Sequence, residues 1–292
     1  MKSVSSPSSS KPEPVRFAVS IISPPGYAHQ RAFAEVAESV HLALLALGHD
    51  SVLSTRLDNR RRRHIVFGPH LLMRAPQDLP PDSILYNLEQ LGAGGPWDTP
   101  AYRALLRAHT VWDYAPSNIA VLARDGILAR HLPIGWMPQM RRIPEAPLRD
   151  VDVLFYGSVY ERREPVLRAL QARGVRLRML FNVYGAERDA WIARSRIVLN
   201  FHGYEACLFE AVRVSWLLGN GACVLSERGS DPALEADYRE AVEFVEHARL
   251  VDACVDLLAD AARQQQLREA GPRLMQRLDL RPTLQRCLQD LA

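Results

Sequence analysis

The chain alternates short apolar runs with longer amphipathic stretches. Residues 15–22 (VRFAVSII) form a β-rich run, followed by the turn SPPGYAHQ and then RAFAEVAESVHLALLALGHD. In that long stretch Phe33, Val36, Val40, Leu44 and Leu47 keep the spacing of a buried helix face, and Gly48 stands where a helix C-terminus takes a left-handed residue. Residues 51–54 restart as a strand, which completes one βαβ unit. The pattern recurs at 64–72 (HIVFGPHLL), 82–91 (DSILYNLEQL), 109–127 (HTVWDYAPSNIAVLARDGI) and 129–136 (ARHLPIGW). Each is a short apolar run leading into a turn or helix, as a parallel sheet requires.

Residues 137–149 carry prolines and arginines without periodicity and read as a linker. Beyond them the same logic returns. VDVLFYGS predicts a strand and turn, ERREPVLRALQARG a helix, VRLRML a strand, AERDAWIARS a helix and RIVLNF a strand. FEAVRVSWLLGNG then predicts a helix, ACVLSE and AVEFVE two strands, and the chain from 249 onward helices. The expected organisation is a disordered tail (1–14), a Rossmann-like first domain (15–140), a linker (141–150), a Rossmann-like second domain (151–275) and a C-terminal helix (276–292). Two doubly wound α/β halves of this kind face each other across a cleft.

Composition sharpens this picture. A length of 292 residues suits two such units, and 48% hydrophobic with 24% charged residues excludes disorder for most of the chain. The net charge is only +3, so nothing demands a nucleic-acid partner, and the run Arg60 to Arg63 reads as a solvated loop or a contact to an acidic acceptor. Lysine does not recur after Lys11, and the arginines that replace it suit two-pronged recognition of phosphate or carboxylate. Cys207, Cys223, Cys254 and Cys287 lack metal or redox spacing and read as reduced core thiols. No apolar stretch reaches the roughly 20 residues of a membrane span, and the Ser/Pro-rich start lacks the apolar core of a signal peptide, so a cytoplasmic protein is expected. Walker A, H-E-x-x-H and G-x-S-x-G patterns are absent from the sequence.

Candidate chemistry gathers at the ends of the predicted strands. Gly157 and Ser158 follow one strand and precede a helix, so their amides can approach an anion, with Arg162 and Arg163 where that helix begins. His202, Gly203, Tyr204 and Glu205 follow RIVLNF, at the edge where open α/β sheets collect ligands, although a histidine there also serves as a cap. Glu210, just inside an apolar helix, should be paired. In the first half His29, His70 and Glu89 compete as general base. Asp150 and Asp152 spell D-x-D, but they enter a strand directly after the linker, so no metal site is assigned.

The order DYAPSNIAVL, HLPIGW, VDVLFYGSVYERRE and RIVLNFHGYEACLFEAVRVSWLLGNGACVLSE resembles the GT-B glycosyltransferases, in particular a bacterial family-one or spore-maturation-type branch, over nearly the whole chain. The resemblance implies transfer of a sugar from a nucleoside diphosphate, a uridine or guanosine one, to an acceptor in the interdomain cleft, without a metal or other cofactor. It implies that Glu210 takes the ribose diol and that His202 stands where retaining members carry a first glutamate. It further places Tyr184 beside the base, as a stacking residue or as a packed turn tyrosine, and leaves Arg188 and Arg194 as additional phosphate candidates. The departure at His202 also fits a catalytically silent nucleotide-sugar-binding partner subunit, and a nucleotide-sugar epimerase shares the fold. The acceptor, the sugar and the oligomeric state are not readable from these residues.

Overall fold

The computed structural model describes residues 15–92 and 95–289, so the tail expected at 1–14 lies outside the described residues. The first half builds six parallel strands: β1 (Arg16–Ile21), β2 (Asp50–Ser54), β3 (Arg63–Phe67), β4 (Ile84–Asn87), β5 (Thr110–Asp113) and β6 (Ala129–His131), in spatial order β2-β1-β3-β4-β5-β6. Helix α1 (Ala34–Ala46) buries Val36, Val40 and Leu44, the face that its spacing defines, and Gly48 at φ +86° reverses the chain into β2. Helices α2 (Pro100–Arg107) and α3 (Pro116–Arg124) start on prolines, whose fixed φ suits a first helical turn. The apolar run after β3 does not stay extended: Gly68 at φ +67° turns it into a short 3-10 helix, Pro69–Met73.

Residues 141–150 form neither helix nor strand. The second half holds β7 (Val151–Tyr156), α4 (Glu164–Ala172), β8 (Leu177–Leu180), α5 (Ala186–Arg194), β9 (Ser195–Asn200), α6 (Ala211–Gly219), β10 (Val224–Glu227), α7 (Pro232–Ala236) and β11 (Val242–Val245). Its five strands are parallel in the order β11-β10-β9-β7-β8. The central strands of both sheets are buried on two faces, which is why they read as near-continuous apolar runs, whereas the edge strands β2, β6 and β8 expose side chains.

Three helices close the described chain: α8 (Leu250–Ala259), α9 (Ala261–Arg277) and α10 (Leu280–Gln289). Helix α9 packs on α6, where a Cβ on Gly271 would meet the Leu218 carbonyl oxygen at 2.8 Å. Helix α10 crosses back to the first half and packs on α1, with Trp136 N donating to Leu278 O at 2.8 Å and Leu280 N to Trp136 O at 3.2 Å. Trp136 also covers Gly219, where a Cβ would lie 2.2 Å from the indole. One apolar core therefore runs through both halves, from Phe17 and Val40 to Trp216 and Leu284. Ion pairs add to it: Arg142 reaches Glu38 and Arg188 reaches Glu35, each at 2.6 Å.

Candidate functional site

In a doubly wound sheet the strand order reverses at one point, and the loops on either side diverge to leave a crevice. Here the reversals fall between β1 and β3 and between β7 and β9. Loops from both points, the segments after β1, β3 and β7, line one cleft of about 530 Å³ between the halves. Its second-half wall carries Gly157, Ser158, Arg163, Tyr184, Tyr204, Glu210 and Arg213; its first-half wall carries Tyr27, His29, His70, Glu89 and Trp97.

The second-half wall is built around two arginines. Gly157 leaves β7 at φ +135°, which a side chain would not tolerate, and a Cβ there would lie 3.2 Å from Arg213 Nη2 and 3.6 Å from Arg163 Nη1. Arg163, 4% exposed, donates from Nη1 to Ser158 O (2.9 Å), from Nη2 to Phe201 O (2.6 Å) and from Nη2 to Glu210 Oε1 (3.1 Å). Arg213 places Nη1 2.9 Å from the other Glu210 oxygen. Burial pushes the Glu210 carboxyl up, but the Arg213 and Arg163 guanidinium groups outweigh it and hold it below its ordinary range. The pairing expected of Glu210 thus comes from protein arginines. Glu210 is the N-cap of α6 rather than a residue inside it, and sequence reasoning missed Arg213, although its place three residues after Glu210 was the available signal.

Several expected residues sit elsewhere. The Gly157 amide is already used, donating to Leu180 O at 3.0 Å as an extension of the β7–β8 ladder, whereas the Ser158 amide makes no hydrogen bond within the described chain. Arg162 turns away from the cleft: its Nη1 donates to Glu227 Oε2 at 2.6 Å and to His202 O at 3.1 Å. Glu227, at the end of β10, also accepts from His202 N at 3.0 Å, so one buried carboxylate fixes both residues behind the cleft wall. His202 is 1% exposed, its Nε2 lies 3.2 Å from Arg228 O, and burial keeps its ring neutral to lower pH than usual. His202 is not among the residues that line the cleft. Gly203 is covered by Tyr160, whose ring would meet a Cβ at 2.6 Å, so the missing side chain serves a protein contact. Glu205 is exposed outside the cleft lining. Cys207, read as a core thiol, is only partly buried, on the loop between β9 and α6, while Cys223, Cys254 and Cys287 are buried.

Tyr184 and His29 meet across the cleft, with His29 Nδ1 2.8 Å from the Tyr184 hydroxyl and the Arg31 guanidinium 5.7 Å from the tyrosine ring. Tyr204 pairs its hydroxyl with that of Tyr160 at 3.1 Å. Arg188 borders the cleft but is held by Glu35 and Asp189, and Arg194 is consumed by Asp150. Asp152 pairs with Arg176 at 2.7 Å and Arg196 at 3.3 Å, and the Arg176 hydrogen bonds bring it down to about 2 against its partial burial.

On the first-half wall His70 lies against Trp97, ring centroids 4.5 Å apart, and its Nε2 is 3.4 Å from Glu89 Oε1. Burial brings His70 down to about 3 and raises Glu89 to about 7. The pair is therefore a neutral imidazole beside a carboxyl that titrates near neutrality. Arg74 caps Trp97 at 4.6 Å and Tyr27 at 5.2 Å.

Two facing parallel sheets with reversal-point loops on a shared cleft define the GT-B architecture. Anabaena HepE crystallised with UDP and glucose shares it at 9% identity over 95% of this chain and 99% of that one, TM-score 0.61. WaaG, a glycosyltransferase involved in lipopolysaccharide biosynthesis, does so at 14% identity over 95% and 99%, TM-score 0.58. These two likenesses show the fold. Residues 135–292, more than half of the chain, match the family described as glycosyl transferase-like, and the chain belongs to that family. It is also 26% identical over 204 residues to uncharacterized protein R358 of Acanthamoeba polyphaga mimivirus, which covers 66% of this chain and 69% of that protein. No helix among the described residues is long and apolar enough to cross a membrane.

Proposed function

We propose that the chain transfers a sugar from a nucleoside diphosphate to a hydroxyl of an acceptor bound against the first-half wall, without a metal ion. The observation that carries this reading is the convergence of the Ser158 amide, Arg163, Arg213 and Glu210 on one side of the interdomain cleft. In the transfer, the bond between the anomeric carbon and the departing phosphate oxygen breaks and its electron pair stays on the diphosphate. The acceptor oxygen bonds to that carbon and surrenders its proton to a base. Arg213 and Arg163 neutralise the charge that develops on the diphosphate, and the free amide at the Gly157 turn adds a fixed donor. Glu210, held ionised by both arginines, accepts the ribose hydroxyls, and Tyr184 borders the base. The fold likeness to HepE, crystallised with UDP and glucose, supports a uridine donor.

Across the cleft, Glu89 and His29 are the groups able to take the acceptor's proton, and Glu89 titrates where a general base is most effective. Support for a metal-free reaction comes from Asp150 and Asp152: both are ion-paired, and both lie at the start of β7, the end away from the cleft. A second reading, a nucleotide-sugar-binding subunit without turnover, draws on the burial of His202 behind the wall. Incubation with a UDP-sugar separates the two: release of UDP in EDTA, with or without an acceptor, supports the transferase, whereas tight binding without release supports the silent subunit. A changed sugar on intact nucleotide would instead identify an epimerase.

A further inference from the structure

On another face of the molecule, away from the interdomain cleft, a second cavity of about 480 Å³ lies between the linker and helix α9. Arg141 and Arg149 from the linker and Arg268 and Arg273 from α9 line it, against Glu145 and Glu269. Glu269 lies 3.7 Å from Arg273, one helical turn away. Arg149 and Arg268 have no carboxylate within ion-pair distance among the described residues, which sets them apart from neighbours such as Arg194, Arg196 and Arg263. They are instead oriented by neutral groups: Arg149 Nη1 donates to Ala193 O at 2.8 Å and Ser195 O at 3.1 Å, and Arg268 Nη2 donates to Arg196 O. A carbonyl fixes the direction of a guanidinium without cancelling its charge. Both line the same cavity, and burial first, and then the nearby Arg149 charge, lower the proton affinity of Arg268. The Nε of Arg268 is buried without a hydrogen-bond partner.

We propose that this cavity is a binding site for a small phosphate ester, separate from the interdomain cleft. Arg149 and Arg268 are positioned to hold the phosphate dianion, for which forked guanidinium groups are well matched. The volume exceeds that of a bare phosphate, and the organic part of the ester would meet Gln265, Gln276, Ile143 and Pro272. Such a ligand touches both the linker and α9. The same linker joins the halves, through Arg142 to Glu38 and through Asn220 Oδ1, which accepts from the amides of Arg142 and Ile143. Occupancy would therefore bear on the contacts by which the linker ties the two halves together.

The test is calorimetric titration of the full chain with glucose 6-phosphate, with glucose and inorganic phosphate as controls. Glucose 6-phosphate should bind the native protein and the Arg213→Ala protein alike, while Arg149→Gln/Arg268→Gln should bind it at least tenfold more weakly. The Arg149→Lys/Arg268→Lys protein should keep part of the affinity, which shows that charge and not a folding defect is at stake. Glucose should not bind this site, and phosphate should bind more weakly than the ester. Unchanged affinity in the double glutamine variant, loss confined to Arg213→Ala, or equal binding of glucose would each overturn the proposal. An inorganic-phosphate affinity equal to that of the ester would reduce the site to a simple anion site and overturn the ester.

Discussion

Arg163 and Glu210 form an ion pair at 3.1 Å at the meeting of two loops that the sequence separates by 47 residues, and the arginine is also hydrogen-bonded to the backbone at Ser158 and Phe201. One side chain thus ties the turn after β7 to the loop after β9 and aims the carboxylate at the cleft. Removing it leaves Glu210 with Arg213 alone and frees two carbonyls. Arg163→Ala should lower the stability of the protein by about 3 kcal/mol, the cost of breaking a buried pair. Arg162→Ala should instead act on the loop after β9 and leave diphosphate affinity nearly unchanged. Denaturant melts and UDP titrations on the two variants check both expectations, and equal effects of the two on UDP binding would contradict the geometry.

Glu210→Gln should weaken nucleoside diphosphate binding by about 1–3 kcal/mol, because a neutral amide replaces a charged acceptor of the ribose hydroxyls. A 2′,3′-dideoxy nucleotide should lose little more on that variant. If the variant discriminates against it as strongly as the native protein does, Glu210 does not hold the diol.

Stability should depend on pH through Glu89 and Asp113, both of which burial raises to about 7, from ordinary values of 4.5 and 3.8. A folded value above the unfolded one means that the folded state keeps its proton longer. The stabilisation is therefore complete below the unfolded value and is lost as pH rises through the folded one. Melting temperature should fall as pH increases through about 7, and Glu89→Gln should flatten part of that slope. A melting temperature that rises over the same interval would contradict the assignment.

Gly219→Ala should be destabilising, by roughly 1–3 kcal/mol, because its methyl would enter the space of the Trp136 ring. Trp136 joins the linker to α6 and α10, so the loss should appear as lowered cooperativity as well as lowered midpoint in denaturant melts.

Chelation should leave UDP affinity and any UDP release unchanged. The nearest D-x-D carboxylates, Asp150 and Asp152, are bound to Arg194 and to Arg176 and Arg196. Loss of turnover in EDTA that manganese restores would reopen them as metal ligands.

The fold was legible because its central strands are buried on both faces. The centres of RIVLNF and VDVLFY, Ile197 to Leu199 and Val153 to Phe155, are continuous apolar runs, and α1 displays its buried face at the spacing from Phe33 to Leu44. The site was legible only to the level of its loops. Arg162 and Arg163 are adjacent and chemically identical, yet one faces Glu227 and the other Glu210, partners that lie 65 and 47 residues away in sequence. His202 reads as a ligand because it follows a strand, but its placement is decided by Glu227, 25 residues later, which captures its amide. Arg213 gave only a helical spacing to Glu210. Its proximity to Gly157 depends on how α6 seats against the sheet, which no local pattern encodes.

The most direct test of the central claim is calorimetric titration of UDP and of uridine into the native and Arg213→Ala proteins, in EDTA. Arg213→Ala should lose about 10- to 100-fold in affinity for UDP, the worth of a hydrogen bond to a charged group, with almost no change for uridine. Equal losses for UDP and uridine, or undiminished UDP affinity, would contradict a diphosphate held at the Gly157 turn between Arg163 and Arg213.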